Sequence, residues 1–176
     1  MMLVLYILYS ILGLLTIIIL ASFFLPDFIV VEEKIIISAP SNEIFNHIAN
    51  LEEFIIWSPW NEKDPYMKNY FEGEPMTVSS NYKWEGNRKV GKGTMTLTHI
   101  EANRKVSMEL DFGFQRTSKI NFNLTQEMEK TEVSWQILTP LGKNPIAKFF
   151  GPLLKKVITN DFKKGLYNLK KKIEKT

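Results

Sequence analysis

From Met1 to Leu25 the chain is almost unbroken apolar sequence. Only Ser10, Gly13, Thr16 and Ser22 interrupt it, and no residue carries a charge. As a helix, 25 residues reach roughly 37 Å, against a bilayer hydrocarbon core of about 30 Å. The pattern therefore predicts one transmembrane helix over 1–25, tilted to fit, and stopped where Pro26 cannot continue it. A cleavable signal peptide and a buried core helix are the competing readings. A signal peptide wants a basic n-region, a shorter apolar stretch and small residues before the cut. Here the first basic residue is Lys34 and the exit reads Ala21-Ser22-Phe23-Phe24, so the uncleaved helix is favoured. Lys34 alone is too little asymmetry to fix the side of the membrane.

After a linker over 26–30 the period changes. Glu33, Ile35 and Ile37 alternate with Glu32, Lys34 and Ile36, which reads as a first strand. Pro40 suits the first turn of a helix, and Ile44, Phe45, Ile48 and Leu51 recur at helical spacing. From about residue 70 the period becomes two. Tyr82 and Trp84, then Met95 and Leu97, then Val106, Met108, Leu110 and Phe112 alternate with polar neighbours. Ile120, Phe122 and Leu124, and then Val133, Trp135 and Ile137, do the same. Turn residues separate these runs at Glu85-Gly86-Asn87, Ala102-Asn103, Gly113 and Glu129-Lys130. Such alternation predicts an antiparallel sheet with one solvated face. A cover for the other face is expected at the C-terminus. There Ile146, Phe149, Phe150, Leu153, Leu154, Val157, Ile158, Phe162, Leu166, Leu169 and Ile173 read as a single helical stripe.

Charge sharpens this division. All 41 charged side chains lie in the last 151 residues, so an uncharged span is joined to an ordinarily charged domain of 31–176. Residues 141–176 hold ten Lys against Asp161 and Glu174, a local +8, which leaves −5 for the rest of a chain whose net charge is +3. Such a basic face is expected to be solvated, or to lie near an anionic membrane surface. Its aromatics fall mostly on the apolar stripe rather than among the lysines, so nucleic acid is not an expected partner. No cysteine is present, which excludes disulfides, thiolate metal sites and a Cys nucleophile. Two histidines make a His-rich metal site improbable, and no cofactor is implied.

The order of strand, short helix, curved antiparallel sheet and long C-terminal helix is a helix-grip arrangement of the α+β class, here preceded by the transmembrane helix. The chain from about Val31 to Lys175 resembles the START-like SRPBCC superfamily, in particular its polyketide cyclase/dehydrase and lipid-transport group. The resemblance rests on Ile37-Ser38-Ala39-Pro40 followed by Ile44-Phe45, on Trp57-Ser58-Pro59-Trp60, on Tyr82-Lys83-Trp84-Glu85-Gly86-Asn87, and on Val90 to Leu97. The closing Phe162 to Lys170 segment is also similar. What the resemblance implies is a cavity between the sheet and the long helix that holds an apolar or aromatic ligand. The positions expected to line it are Trp57, Trp60, Trp84, Met95, Leu97, Met108, Leu110, Phe112, Phe122, Trp135, Phe150, Leu154 and Ile158. Each is equally suited to plain core packing. Trp57 and Trp60, in a Pro-containing loop at the expected mouth, suit stacking on a ligand or a lid.

Three functions are compatible with these residues. One is a membrane-tethered binding or carrier module for a hydrophobic small molecule or lipid. Another is an enzyme of cyclase, aromatase or dehydratase type, with His99, Asp64 or Glu85 moving protons. The third is a ligand-free structural or interaction domain. No nucleophile elbow, P-loop, Rossmann fingerprint or His-Glu-x-x-His pattern occurs. His99 continues the Met95–Leu97 face and is expected to point inward near a strand end; His47 lies in the first helix, where the spacing suggests a boundary or exposed site. Neither has a carboxylate partner at a recognisable spacing. The binding module is the preferred expectation, with no catalytic residue and no metal ligand assigned.

Overall fold

The computed structural model describes residues 2–113 and 117–175. Met1 and Thr176, the outer bounds of the expected segments, lie outside these. Helix α1 (Met2–Ser22) leads into strand β1 (Phe28–Ile37). Three short helices follow: α2 (Ser41–Ala49), α3 (Leu51–Trp57) and α4 (Pro59–Lys63). Strands β2 (Lys68–Glu72), β3 (Asn81–Glu85), β4 (Lys92–Glu101), β5 (Lys105–Asp111), β6 (Ser118–Glu127) and β7 (Lys130–Pro140) come next, and α5 (Pro145–Ile173) closes the chain. The strands form one antiparallel sheet in the order β1-β7-β6-β5-β4-β3-β2. This curved sheet with its long C-terminal helix is the helix-grip, α+β architecture.

Local chemistry sets the helix starts. The Asn50 side chain accepts from the Glu52 amide at 3.0 Å and begins α3. Ser58 caps α4, with Pro59 in its first turn. Asn144 Oδ1 accepts from the amides of Ile146 and Ala147 at 3.0 and 3.3 Å, with Pro145 in the first turn of α5. Each cap supplies an acceptor for amides that have no partner within the helix. Trp57 and Trp60 thus sit on consecutive short helices rather than in an open loop.

Three further expectations are corrected. First, β1 begins at Phe28, because Phe28, Ile29 and Val30 pair with Pro140, Thr139 and Leu138 on β7. The connection between α1 and the sheet is therefore 23–27, as long as the expected 26–30 linker but three residues earlier in the chain.

Second, α5 does not carry one stripe. At about 100° per residue, Ile146, Phe150, Leu153 and Val157 fall on the side opposite Phe162, Leu166, Leu169 and Ile173. The latter four are buried against the sheet and short helices, whereas the former four are 47–59% exposed. The apolar face changes sides midway along the helix.

Third, the lysines of α5 are not simply a solvated face. Lys164 pairs with Glu62 at 2.5 Å and Lys172 with Glu53 at 3.0 Å, while Lys148 pairs with Asp27 and reaches the Ser22 carbonyl at 3.3 Å. The basic helix is thus docked on acids of the −5 body.

The centre of the core is aromatic. Trp135 of β7 stacks on Phe162 of α5 with ring centroids 3.9 Å apart, and Phe122 of β6 stacks on Trp135 at 4.9 Å. Phe54 and Trp57 meet this group edge-on. Helix α5 approaches closely enough at Gly165 that a Cβ there would stand 2.7 Å from Trp135 Cζ3.

Candidate functional site

Beside this solid aromatic centre the space between sheet and α5 is open. A cavity of about 300 Å³ is bounded by Tyr82 and Trp84 of β3, Met95 of β4, Leu110 of β5, Ser118 of β6 and Ile137 and Thr139 of β7. Phe54, Ser58, Trp60 and Lys63 close it from α3 and α4, and Leu154, Val157, Ile158, Asp161 and Phe162 from α5. Met67, Lys89, Val90 and Phe112 complete the wall. Alternation places these side chains: each sheet position that borders the cavity points to the α5 side, as a period of two requires.

The expected lining positions divide into two groups. Trp60, Trp84, Met95, Leu110, Phe112, Leu154 and Ile158 border the cavity. Trp57, Leu97, Met108, Phe122, Trp135 and Phe150 do not. Trp57, Phe122 and Trp135 are consumed by the aromatic cluster, and the Trp57 indole donates to the His47 carbonyl at 2.9 Å. Leu97 and Met108, register partners, are 0% and 1% exposed in the filled core. Phe150 lies on the outer side of α5, exposed and edge-on to Phe149.

Inward direction alone did not mark Lys63, Asp161, Ser58, Ser118, Thr139 or Tyr82 as wall residues. Lys63 Nζ donates to both Asp161 oxygens at 2.6 Å, forming a charged pair at the edge of an otherwise apolar wall. Ser118 donates to Thr139 Oγ1 at 3.1 Å on the opposite side. Tyr82 donates to Asn69 Oδ1 at 2.9 Å, and burial pushes its phenol well above the ordinary tyrosine range. This phenol is therefore a neutral hydrogen-bonding group, not a base.

The proton-transfer candidates lie elsewhere. A register shift between Leu97 and His99 turns His99 outward, where its Nε2 lies 3.1 Å from Glu101. His47 Nδ1 is 3.1 Å from Glu53. Both histidines thus have carboxylate partners that sequence spacing concealed, and neither borders the cavity. Lys172 foremost, with His47, holds the Glu53 carboxyl below its usual range. Asp64 is buried, with Oδ2 accepting from the Asn87 amide at 2.6 Å and Oδ1 from the Tyr66 amide at 3.2 Å. It clamps the β3–β4 turn. Among the described residues no group of His and acidic side chains could hold a metal ion.

A family described as polyketide cyclase / dehydrase and lipid transport matches residues 29–174. The chain belongs to this family. Several solved structures share its fold at low identity. MLL2253 from Mesorhizobium loti is 17% identical with a TM-score of 0.59, over 85% of this chain and 98% of that one. DynU16, a protein of the dynemicin biosynthetic locus, is 14% identical with a TM-score of 0.57. That match covers 85% of this chain but 48% of DynU16, so the chain spans about half of DynU16's length. CalU16 from Micromonospora echinospora is 12% identical with a TM-score of 0.52, over 83% of this chain and 73% of that one. No curated protein matches the chain. Likeness at these identities establishes the architecture alone.

Proposed function

We propose that the chain is a membrane-tethered binding or carrier module for a hydrophobic small molecule or one chain of a lipid. The observation that carries this reading is the cavity of about 300 Å³ between sheet and α5. It lies at the small end of the range for ligand sites, which are apolar walls with a few placed polar groups. Its wall is apolar apart from a few polar side chains, and its one charged pair, Lys63–Asp161, stands at the edge, so an apolar body with one polar end matches it best. Tethering is supported by α1, whose 21 residues have a mean hydropathy of 2.7 in their apolar window and bury none of that window inside the protein.

The test is a titration of the full chain in detergent with 11-(dansylamino)undecanoic acid, following energy transfer from Trp60 and Trp84. Saturable one-to-one binding is expected, weakened about tenfold or more by Leu110→Phe/Ile158→Phe, a loss of about 1.4 kcal/mol. Equal binding by wild type and the filled variant would overturn the assignment.

A further inference from the structure

The outer face of α5 has no partner in the fold, and several observations place the same surface beside a membrane. Ile146, Phe149, Phe150, Leu153 and Val157 are 47–59% exposed on the first three turns of the helix. Soluble surfaces seldom leave such contiguous apolar area uncovered. These turns pack beside the end of α1: Lys148, on the sheet-facing side, reaches the Ser22 carbonyl at 3.3 Å and pairs with Asp27. Phe23 and Phe24, where α1 ends, are 77% and 91% exposed. The uncovered face of α5 therefore continues the surface of an uncharged, outward-facing apolar helix. Lys143, Lys155 and Lys156 are exposed around it. A helix with Phe and Leu on one face and Lys on its flanks is suited to lie in the headgroup–acyl boundary of an anionic leaflet.

The cavity is at this same end. Thr139 in its wall is the register partner of Ile29, seven residues beyond the end of α1. Leu154 and Val157 belong both to the exposed side of α5 and to the cavity wall. The opposite end of the sheet, the β6–β7 turn at Met128, is about 33 Å away along β7.

We infer that the first three turns of α5 lie in the membrane interface beside the exit of α1, forming with it one lipid-contacting face that carries the cavity wall. The occupant of this face is the anionic lipid leaflet rather than a second copy of the chain, because the apolar face is continuous with α1, the exposed charges near it on and before α5 are Lys143, Lys155 and Lys156, and the acid at the α1 exit, Asp27, is paired with Lys148. This rests on the proposed tethering by α1.

The absence of cysteine makes the test direct. Single-cysteine variants of the full chain carry an NBD fluorophore in mixed phosphatidylcholine–phosphatidylglycerol vesicles, and quenching by spin-labelled lipids is measured. Labels at Phe150→Cys and Leu153→Cys should emit blue-shifted and be quenched several-fold more than a label at Met128→Cys. Leu8→Cys reports on α1. Quenching at residue 8 with labels at 150 and 153 as water-exposed as at 128 would overturn the inference and leave the tether standing. Quenching at 150 and 153 without quenching at 8 would remove the tether and overturn the single face shared with α1, leaving α5 alone at the interface. Quenching at neither would overturn both. A blue shift at 150 and 153 that escapes lipid quenching and disappears on dilution of the protein would assign the face to a second copy, and would also overturn the inference.

Discussion

Replacing Gly165 with alanine tests how α5 is held over the sheet. The new Cβ would stand 2.7 Å from Trp135 Cζ3, 3.3 Å from its Cη2 and 3.1 Å from Pro59 Cδ. Trp135 cannot step aside: it is fully buried and stacked 3.9 Å from Phe162, one turn earlier on α5. The helix itself must lift. Overpacking of this kind costs about 1–3 kcal/mol, whereas Gly to Ala inside a helix gains about 0.8–1 kcal/mol. A net loss of about 1 kcal/mol is expected, which for a domain of this size lowers Tm by about 2–4 °C. Gly151→Ala is the counterpart. Its Cβ meets Leu141 Cδ1 at 2.9 Å and Ile29 Cγ2 at 3.6 Å. The nearer of these is the end of a flexible side chain, so the helix gain is offset mainly by crowding of the new Cβ against the Pro152 ring, and Tm should change by less than in Gly165→Ala. Thermal unfolding of the full chain in detergent, followed by near-ultraviolet circular dichroism, reads both variants. Gly165→Ala as stable as Gly151→Ala would refute the close approach of α5 to Trp135.

Three other outcomes follow from the same geometry. Asp161→Asn removes the negative partner of Lys63 at the cavity edge, so affinity for the dansyl fatty acid should rise relative to its uncharged methyl ester, measured by parallel titrations. Lowering the pH should destabilise the docking of α5. Lys172 and Lys164 hold the Glu53 and Glu62 carboxyls below their usual range in the folded state. Their contribution is therefore present above the ordinary carboxylate range and is lost as pH falls below about 4.5. Both pairs are partly exposed, so the loss is at most about 1 kcal/mol; a Tm that is flat from pH 7 to 5 and then falls, less steeply in Glu53→Gln, is the expected profile. Finally, Phe150→Lys/Leu153→Lys, outside the cavity wall, should slow transfer of the dansyl fatty acid from vesicles to the protein while leaving the bound stoichiometry at one; an unchanged transfer rate would separate the outer face from ligand exchange.

The sheet was legible because its strands alternate strictly: Val106, Met108 and Leu110 are buried and their polar neighbours are not. The closing helix was legible in extent but not in rotation. The spacing of its apolar residues over 146–173 is compatible with helix throughout, and a stripe that changes sides looks continuous when only i, i+3 and i, i+4 neighbours are compared. The cavity was legible only in part. Alternation identifies which side chains point inward, yet Trp84 and Met95 border open space while Phe122 and Met108 lie in filled core. Which of these occurs depends on how far α5 stands from the sheet, and that is set by long-range contacts such as Gly165 on Trp135. Lys63 and Asp161 were beyond reach for the same reason, being 98 residues apart in the chain. His99 was misplaced by one register shift, since an extra residue in a strand reverses the face of all that follows it.

The central claim is that the cavity takes a hydrophobic ligand, and native mass spectrometry of the full chain released from detergent micelles, after incubation with a total lipid extract, tests it most directly. The account predicts one retained adduct per chain, absent from Leu110→Phe/Ile158→Phe. No adduct on the wild type, or an adduct retained equally by the filled variant, would contradict it.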